Sequence, residues 1–364
     1  MQTPSISEKL IRWYQQNHRD LPWRNTTDPY KIWLSEIILQ QTRVQQGLPY
    51  YEKFITQYPT VFDLAKAPEE EVLRLWQGLG YYSRARNLMA AAKQVVEDYK
   101  GEFPSTYQEI IKLKGVGSYT AAAIASFAFK EKVAVVDGNV FRVLSRLFGV
   151  DEDIASTTGK KTFEKLANEV ISEKAPDMHN QAIMEFGAMH CTPQKPNCMF
   201  CPFVQSCEAR KTGRQDQLPV KLKRTKVRPR YFHYFVFRIG EKVYFKQRTE
   251  KDIWQGMYDF YLIERDNVAD WDSLSADGLI SELTSLGELE IKKSDETFKH
   301  ILSHQHIFAE FFQIKLDGNQ EALIQCLEKN SLKGFSLEEI EELPKPVLIL
   351  KFLEKEEILD PSLH

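Results

Sequence analysis

The sequence predicts an all-α part followed by an α+β part, and three observations predict it. Up to about residue 207, apolar residues recur at spacings of three and four, the period of helices with one buried face. From Tyr231 the period changes. Tyr231-Phe232-His233-Tyr234-Phe235-Val236-Phe237-Arg238, a turn at Gly240 and then Lys242-Val243-Tyr244-Phe245 read as two strands. Between the two patterns lies a basic stretch that also holds Pro219 and Pro229. The expected organisation is a helical part over residues 1–208, a linker over 209–230 and a second domain over 231–364. A length of 364 residues suits this at roughly 150 residues per domain.

In the helical part, Asp28-Pro29, Pro68-Glu69 and Pro104-Ser105 read as helix starts. Asp28 is suited to an N-cap with Pro29 at the first helical position. Residues of about 29–129 are expected to form one six-helix subdomain that includes a hairpin. Residues 1–28 with 130–208 are expected to form a second helical subdomain.

Composition removes several function classes. With 43% hydrophobic and 27% charged residues, the chain is not broadly disordered. No apolar run approaches the roughly 20 residues of a membrane span. Met1 to Asp20 lacks an apolar core of the signal-peptide kind, so the expectation is a cytoplasmic protein with no membrane partner. A net charge of -3 argues weakly against a polyanionic partner. The charge is uneven, however: residues 208–230 carry nine Lys and Arg, Lys223 and Arg224 among them, whereas residues 336–360 carry eight acids against three Lys.

Four of the five cysteines are clustered, Cys191, Cys198, Cys201 and Cys207, in the spacing C-x6-C-x2-C-x5-C. In a cytoplasmic protein disulfides are disfavoured. Zinc usually takes two separated C-x2-C knuckles, whereas a compact run of four thiolates suits the corners of a [4Fe-4S] cluster. Spacing by itself leaves both metals open. Cys326 stands apart and reads as a small buried side chain.

Leu113-Lys-Gly115-Val-Gly117-Ser-Tyr119-Thr-Ala121 lies between two helical patterns. Two glycines one residue apart make a tight turn whose N–H groups, with the next helix N-terminus, form an anion site. This is the helix–hairpin–helix pattern, which grips a DNA phosphate without reading sequence. Two acids also stand out. Asp137 ends the apolar run Val133–Val136 just before a new helical pattern, where the ordinary reading is a cap. Glu36 sits inside Ile32-Trp-Leu-Ser-Glu-Ile-Ile-Leu39, where poor solvation favours the protonated form. One neutral and one ionised carboxyl is the pair that glycosidic-bond cleavage needs.

Together these motifs resemble the endonuclease III superfamily of DNA glycosylases, and within it the adenine-removing branch. The residues that carry the resemblance are Leu21-Pro22-Trp23-Arg24, Trp33 to Thr42, Gly78-Leu79-Gly80-Tyr81-Tyr82-Ser83-Arg84, Leu113 to Ala121, Val136-Asp137-Gly138-Asn139-Val140 and the cysteine run. They span nearly all of residues 20–207. The second domain resembles the Nudix-like domain of the same branch through Trp254-Gln-Gly256-Met-Tyr258-Asp-Phe260. The acid-rich helix of Nudix pyrophosphatases is missing over Ile280 to Glu290, so recognition rather than hydrolysis is expected. Leu302-Ser303-His304 stands where the branch has Phe-Ser-His, a departure at Leu302.

The resemblance implies an all-α helix–hairpin–helix glycosylase core with a [4Fe-4S] loop held by the four cysteines. It implies removal of adenine mispaired with 8-oxoguanine or guanine in double-stranded DNA. Glu36 and Asp137 would be catalytic, with Tyr119 and Asn139 orienting them. Tyr119 stands where the lyase members carry the Lys that attacks C1′, so strand cleavage is not expected. Arg19, Trp23, Leu39 and Glu185 would line the adenine pocket. Gln41, Thr42, Leu79, Tyr81, Gly115, Gly117, Ser303 and His304 would contact DNA or the lesion, with Gln305 or His306 in reserve should Leu302 move the loop. The expected state is a monomer in a bacterial cytoplasm, at the nucleoid. Two rivals remain: a thymine–guanine mismatch glycosylase, which usually lacks the second domain, and a non-catalytic iron–sulfur DNA-binding protein, which needs neither acid.

Overall fold

The computed structural model describes residues 5–222 and 226–356. Lys223 and Arg224 of the basic stretch, Met1–Pro4 and residues 357–364 lie outside the described residues. By contacts the chain forms two units: Met1–Lys66 with Asn87–Arg224, and Ala67–Arg86 with Thr225–His364.

The first unit is helical. Its elements are α1 (Ile6–Asn17), α2 (Pro29–Ile38), α3 (Val44–Gln57) and α4 (Val61–Lys66). The chain then passes to the other unit with α5 (Glu69–Leu75), and α6 (Ser83–Tyr99) brings it back. α7 (Tyr107–Ile110), α8 (Ser118–Phe129), α9 (Gly138–Phe148), α10 (Thr157–Val170), α11 (Pro176–Met189) and α12 (Glu208–Thr212) complete the series. Asp28 caps α2 as expected, its carboxylate accepting from the Tyr30 N–H at 2.9 Å. The start expected at Pro104-Ser105 falls later: Thr106 precedes α7, and the Tyr107 N–H is bonded by Glu131, a residue remote in sequence. Nor is the basic stretch wholly a linker, since α12 occupies its first residues and a strand begins at Arg228.

One core packs α1, α9, α10 and α11 around Leu10, Leu144, Phe163 and Phe186, with Cys191, Cys201 and Cys207 against its edge. α8 presents Ala122 and Ala123 to Val135 in a smaller cluster. Small side chains let α8 lie close to its neighbour α2, whose Ile32, Trp33, Leu34, Ile37 and Ile38 are all buried.

The second unit is built on a mixed sheet. Its strands are β1 (Arg228–Ile239), β2 (Lys242–Gln247), β3 (Tyr258–Asp259), β4 (Tyr261–Arg265), β5 (Gly287–Lys293), β6 (Phe298–Ile301), β7 (Gln305–Gly318) and β8 (Leu332–Phe335). Helices α13 (Trp271–Ser275), α14 (Gly278–Leu286), α15 (Gln320–Lys329), α16 (Leu337–Glu342) and α17 (Val347–Lys355) accompany them. β1 runs parallel to β7 through the middle and forms the expected hairpin with β2, turning at Gly240. Alternation along β1 sends Phe235 and Phe237 to the face covered by α14 and α15, where Leu283, Leu323 and Leu327 meet them. Phe232 and Tyr234 point to the other face, where Tyr234 stacks on Phe311 and Phe311 on Phe352. Cys326 is buried, in accord with its sequence reading.

Candidate active site

A pocket of about 440 Å³ opens in the helical unit. Helix α2 brings Glu36 to it. Because α2 is apolar on most of its surface, the acid is carried inward with its neighbours and is only 7% exposed. The Tyr119 hydroxyl, from the first turn of α8, donates to Glu36 Oε2 at 2.7 Å. Burial pushes the Glu36 carboxyl up to about 7, the nearby Asp137 charge adds to this, and the Tyr119 hydrogen bond and the Arg24 charge oppose it. Burial and the two carboxylates hold Tyr119 well above the usual phenol range.

Asp137 caps α9. Its Oδ1 accepts from the Val140 N–H at 2.8 Å, and Oδ2 accepts from Asn139 Nδ2 at 2.7 Å. Burial raises its pKa, while the Val140 N–H, the side chain and N–H of Asn139 and the Arg142 charge favour the anion. Asp137 thus collects several donors and the positive end of α9, against one hydroxyl for Glu36. Burial raises both carboxyls, and Asp137 is the one with more donors to oppose the rise. Asn139 is itself fixed: Arg142 Nη2 donates to Asn139 Oδ1 at 2.8 Å and to the Gly187 carbonyl at 2.7 Å.

Arg19, Trp23, Leu39, Thr42 and Glu185 line the same pocket. Glu185, on α11, is fully buried, and its carboxylate is engaged. Arg19 donates to it through Nε and Nη2, both at 2.7 Å, and Arg24 Nη2 approaches at 3.0 Å. It therefore anchors the two arginines. The polar pocket residues that the sequence reading did not assign to the site include Arg24, Arg142 and Gln181. Gln181 sits one turn before Glu185 on α11, so the i, i+4 rule applied to Glu185 could have found it. Its Oε1 accepts from the Tyr14 hydroxyl at 2.8 Å.

The hairpin between α7 and α8 uses its two glycines differently. Gly115 has φ +72, and a Cβ there would lie 2.5 Å from the Cβ of Asn87, so the turn itself requires glycine. Gly117 has an ordinary φ of -95, and a Cβ there would meet nothing within 4 Å. Gln41, which follows α2, is held at φ 56, a left-handed conformation uncommon for a residue with a side chain.

The remaining expected contacts lie in the second unit. Tyr81 is also left-handed, at φ 49, in a turn whose Gly78 and Gly80 have φ 102 and 71. Leu79 is buried there, leaving its main chain rather than its side chain for contact. Ser303 and His304 are exposed in the turn between β6 and β7, and the Tyr81 hydroxyl and Ser303 Oγ are 3.0 Å apart. His306 lies in β7 and is half-buried. Gln305 is buried as well, so it is not available to replace Ser303.

Cys191, Cys198, Cys201 and Cys207 are free and half-buried, grouped in the loop after α11. Burial pushes the Cys201 thiol up to about 12; the Phe203 N–H opposes this and the charges of the other three cysteines add to it. Among the described residues, no three His, Cys, Asp or Glu side chains stand close enough for a single ion. Four thiols are the ligand number that both a [4Fe-4S] cluster and a structural zinc ion take. Arg146 anchors this loop, donating to the Thr192 carbonyl at 2.7 Å and the Pro193 carbonyl at 3.1 Å.

Comparison with known proteins agrees with this geometry. Residues 34–172 match the HhH-GPD superfamily base excision DNA repair protein family, and residues 233–355 match the NUDIX domain family. An adenine DNA glycosylase of Buchnera aphidicola is 33% identical over 85% of this chain and 85% of its own length. One from Arabidopsis thaliana is 33% identical over 91% of this chain, which spans only 60% of that protein. The solved structure of a thermostable thymine-DNA glycosylase is 31% identical with a TM-score of 0.52, covering 57% of this chain and 95% of its own. Among the described residues no helix is long and apolar enough to cross a membrane. With the helical core and the strand-rich domain both matched in this order, the chain belongs to the adenine DNA glycosylase family.

Proposed function

We propose that this chain removes adenine mispaired with 8-oxoguanine, and with guanine, from double-stranded DNA by hydrolysing the N-glycosidic bond, without efficient strand cleavage. The observation that carries the reading is the asymmetry of two carboxyls in one pocket: Glu36 buried and raised to about 7, Asp137 bonded by the Val140 N–H and Asn139 Nδ2 at the start of α9. The target nucleotide leaves the stack for the pocket. Glu36 donates its proton to adenine N7 and makes the base a better leaving group. Asp137 stabilises the positive charge that develops at C1′. Glu36, now a carboxylate and still bonded by Tyr119, then takes a proton from the incoming water.

Tyr119 is a phenol that orients Glu36 and has no amine with which to form a Schiff base. Gln41 and Tyr81 enter the duplex at the lesion. Thr42 and the Leu79 main chain contact the 8-oxoguanine, which Ser303 and His304 read from the second domain. Cys191, Cys198, Cys201 and Cys207 would hold a [4Fe-4S] cluster, which supplies a rigid, positively charged core that keeps buried thiols as thiolates. Iron and sulfide analysis should return about four of each per chain.

Single-turnover assays on duplexes with A:8-oxoG, A:G and T:G pairs test the reading. Adenine release from the first two is expected. Release of thymine alone would assign the thymine–guanine activity, and binding without release would leave a DNA-binding protein.

A further inference from the structure

Residues 67–86 leave the helical unit after Lys66 and return to it at Asn87, and between these points they pack with the strand-rich unit. Polar contacts spread along the segment. Glu70 Oε1 accepts from the Tyr258 hydroxyl at 2.9 Å and from Gln247 Nε2 at 3.1 Å. Arg74 pairs with Glu342. Gln77 Oε1 accepts from the Lys345 N–H at 2.9 Å, and Arg86 Nη1 donates to the Gln255 carbonyl at 2.7 Å. Gly256, at φ +85, lies so close that a Cβ would come within 3.0 Å of Glu69 and Leu73.

Gln77 and Arg86 therefore bracket the turn Gly78–Tyr81, and both are bonded to main chain, whose position the surrounding fold fixes. The turn is also held from within the segment: Trp76 Nε1 donates to the Gly80 carbonyl at 3.1 Å and Arg84 Nη2 to the same oxygen at 3.0 Å. A residue with a side chain persists at positive φ only where its surroundings over-determine it. Tyr81 meets that condition through this bracket.

We propose that Gln77 and Arg86 are positioning residues through which the strand-rich domain holds the Gly78–Tyr81 turn in the conformation that opens the duplex. The domain then acts on extrusion of the adenine as well as on reading of its partner. This rests on the proposed adenine glycosylase function. Arg86 carries the stronger contact, since a guanidinium donating to a carbonyl is a charge-assisted bond. Neither residue lines the pocket that holds Glu36 and Asp137.

The test uses the full chain and a duplex with 2-aminopurine opposite 8-oxoguanine, whose fluorescence rises on extrusion, together with single-turnover release of adenine from A:8-oxoG. Arg86→Ala should lower both the extrusion signal and the rate at least fivefold. Affinity for an undamaged duplex and the pH limb near 7 should stay as in the wild type, and Arg86→Lys should recover most of the loss. Gln77→Ala should give the same pattern, and it decides the matter if Arg86→Ala does not fold. Wild-type fluorescence and rates in a folded variant would overturn the proposal. A wild-type chain that releases no adenine would instead sink the glycosylase reading itself.

Discussion

At the residue scale, Glu36 ties stability to chemistry. Its carboxyl moves from the usual 4.5 to about 7 on folding, so the folded state binds the proton more tightly. That contribution is complete below about pH 4.5 and is lost as pH rises through 7, a swing on the order of 3 kcal/mol. Glu36→Gln should accordingly melt higher than the wild type at pH 8, with the difference vanishing near pH 4, while releasing no adenine. The wild-type rate should fall as pH rises through about 7. Tyr119→Phe removes the bond that favours the anion and should move that limb to higher pH, which a pH series of single-turnover rates would measure.

Asp137→Asn keeps a carbonyl oxygen for the Val140 N–H but turns an amide N–H toward Asn139 Nδ2, so it loses that hydrogen bond together with the charge. Melting should change by no more than about 1–3 kcal/mol, while the rate drops by about 10²–10³-fold or more, the scale for loss of one electrostatic stabiliser. Tyr119→Lys places an amine where the phenol stood, in a site that desolvates it, and should yield a borohydride-trapped protein–DNA adduct absent from the wild type. The acid at position 36 was legible because it breaks an apolar run. The role of Arg24 was not, because its partner Glu185 is brought near only by the fold.

At the element scale, the helix–hairpin–helix turn separates two kinds of glycine. Gly115→Ala must place a side chain at positive φ and against Asn87, and should cost about 1–2 kcal/mol or more in thermal or chemical denaturation. Gly117→Ala meets an allowed backbone and open space, so denaturation should hardly change while duplex affinity falls because the methyl occupies the approach of a phosphate. The sequence marked both positions alike, since spacing does not report φ or neighbours. Capping chemistry was the more legible signal: Asp28 and Asp137 both cap the helices that follow them, whereas α7 starts where a distant Glu131 supplies the bond.

At the scale of the molecule, the change of period at Tyr231 announced the sheet, but not the parallel pairing of β1 with β7, whose partners lie far apart in the chain. Nor did it announce that residues 67–86 belong by contact with that sheet. Truncation after residue 222 removes the Ser303 loop and every partner of the excursion in the strand-rich part. The truncated chain should lose its preference for A:8-oxoG over A:G, and limited proteolysis should cut it near the Gly78–Tyr81 turn. Ser303→Ala with His304→Ala in the full chain should give a milder loss, about 1–3 kcal/mol of discrimination per contact, read from the ratio of single-turnover rates.

The discontinuity also sets a timetable for synthesis. Glu70 and Tyr258 are separated by 188 residues, which at about 5–20 residues per second is an interval of roughly 10–40 s on the ribosome. For that time α5 has left the exit tunnel with Val72, Leu73 and Trp76, side chains buried in the finished protein, still waiting for much of their cover. The nascent chain therefore presents these apolar side chains well before the strands that the segment packs with have been made.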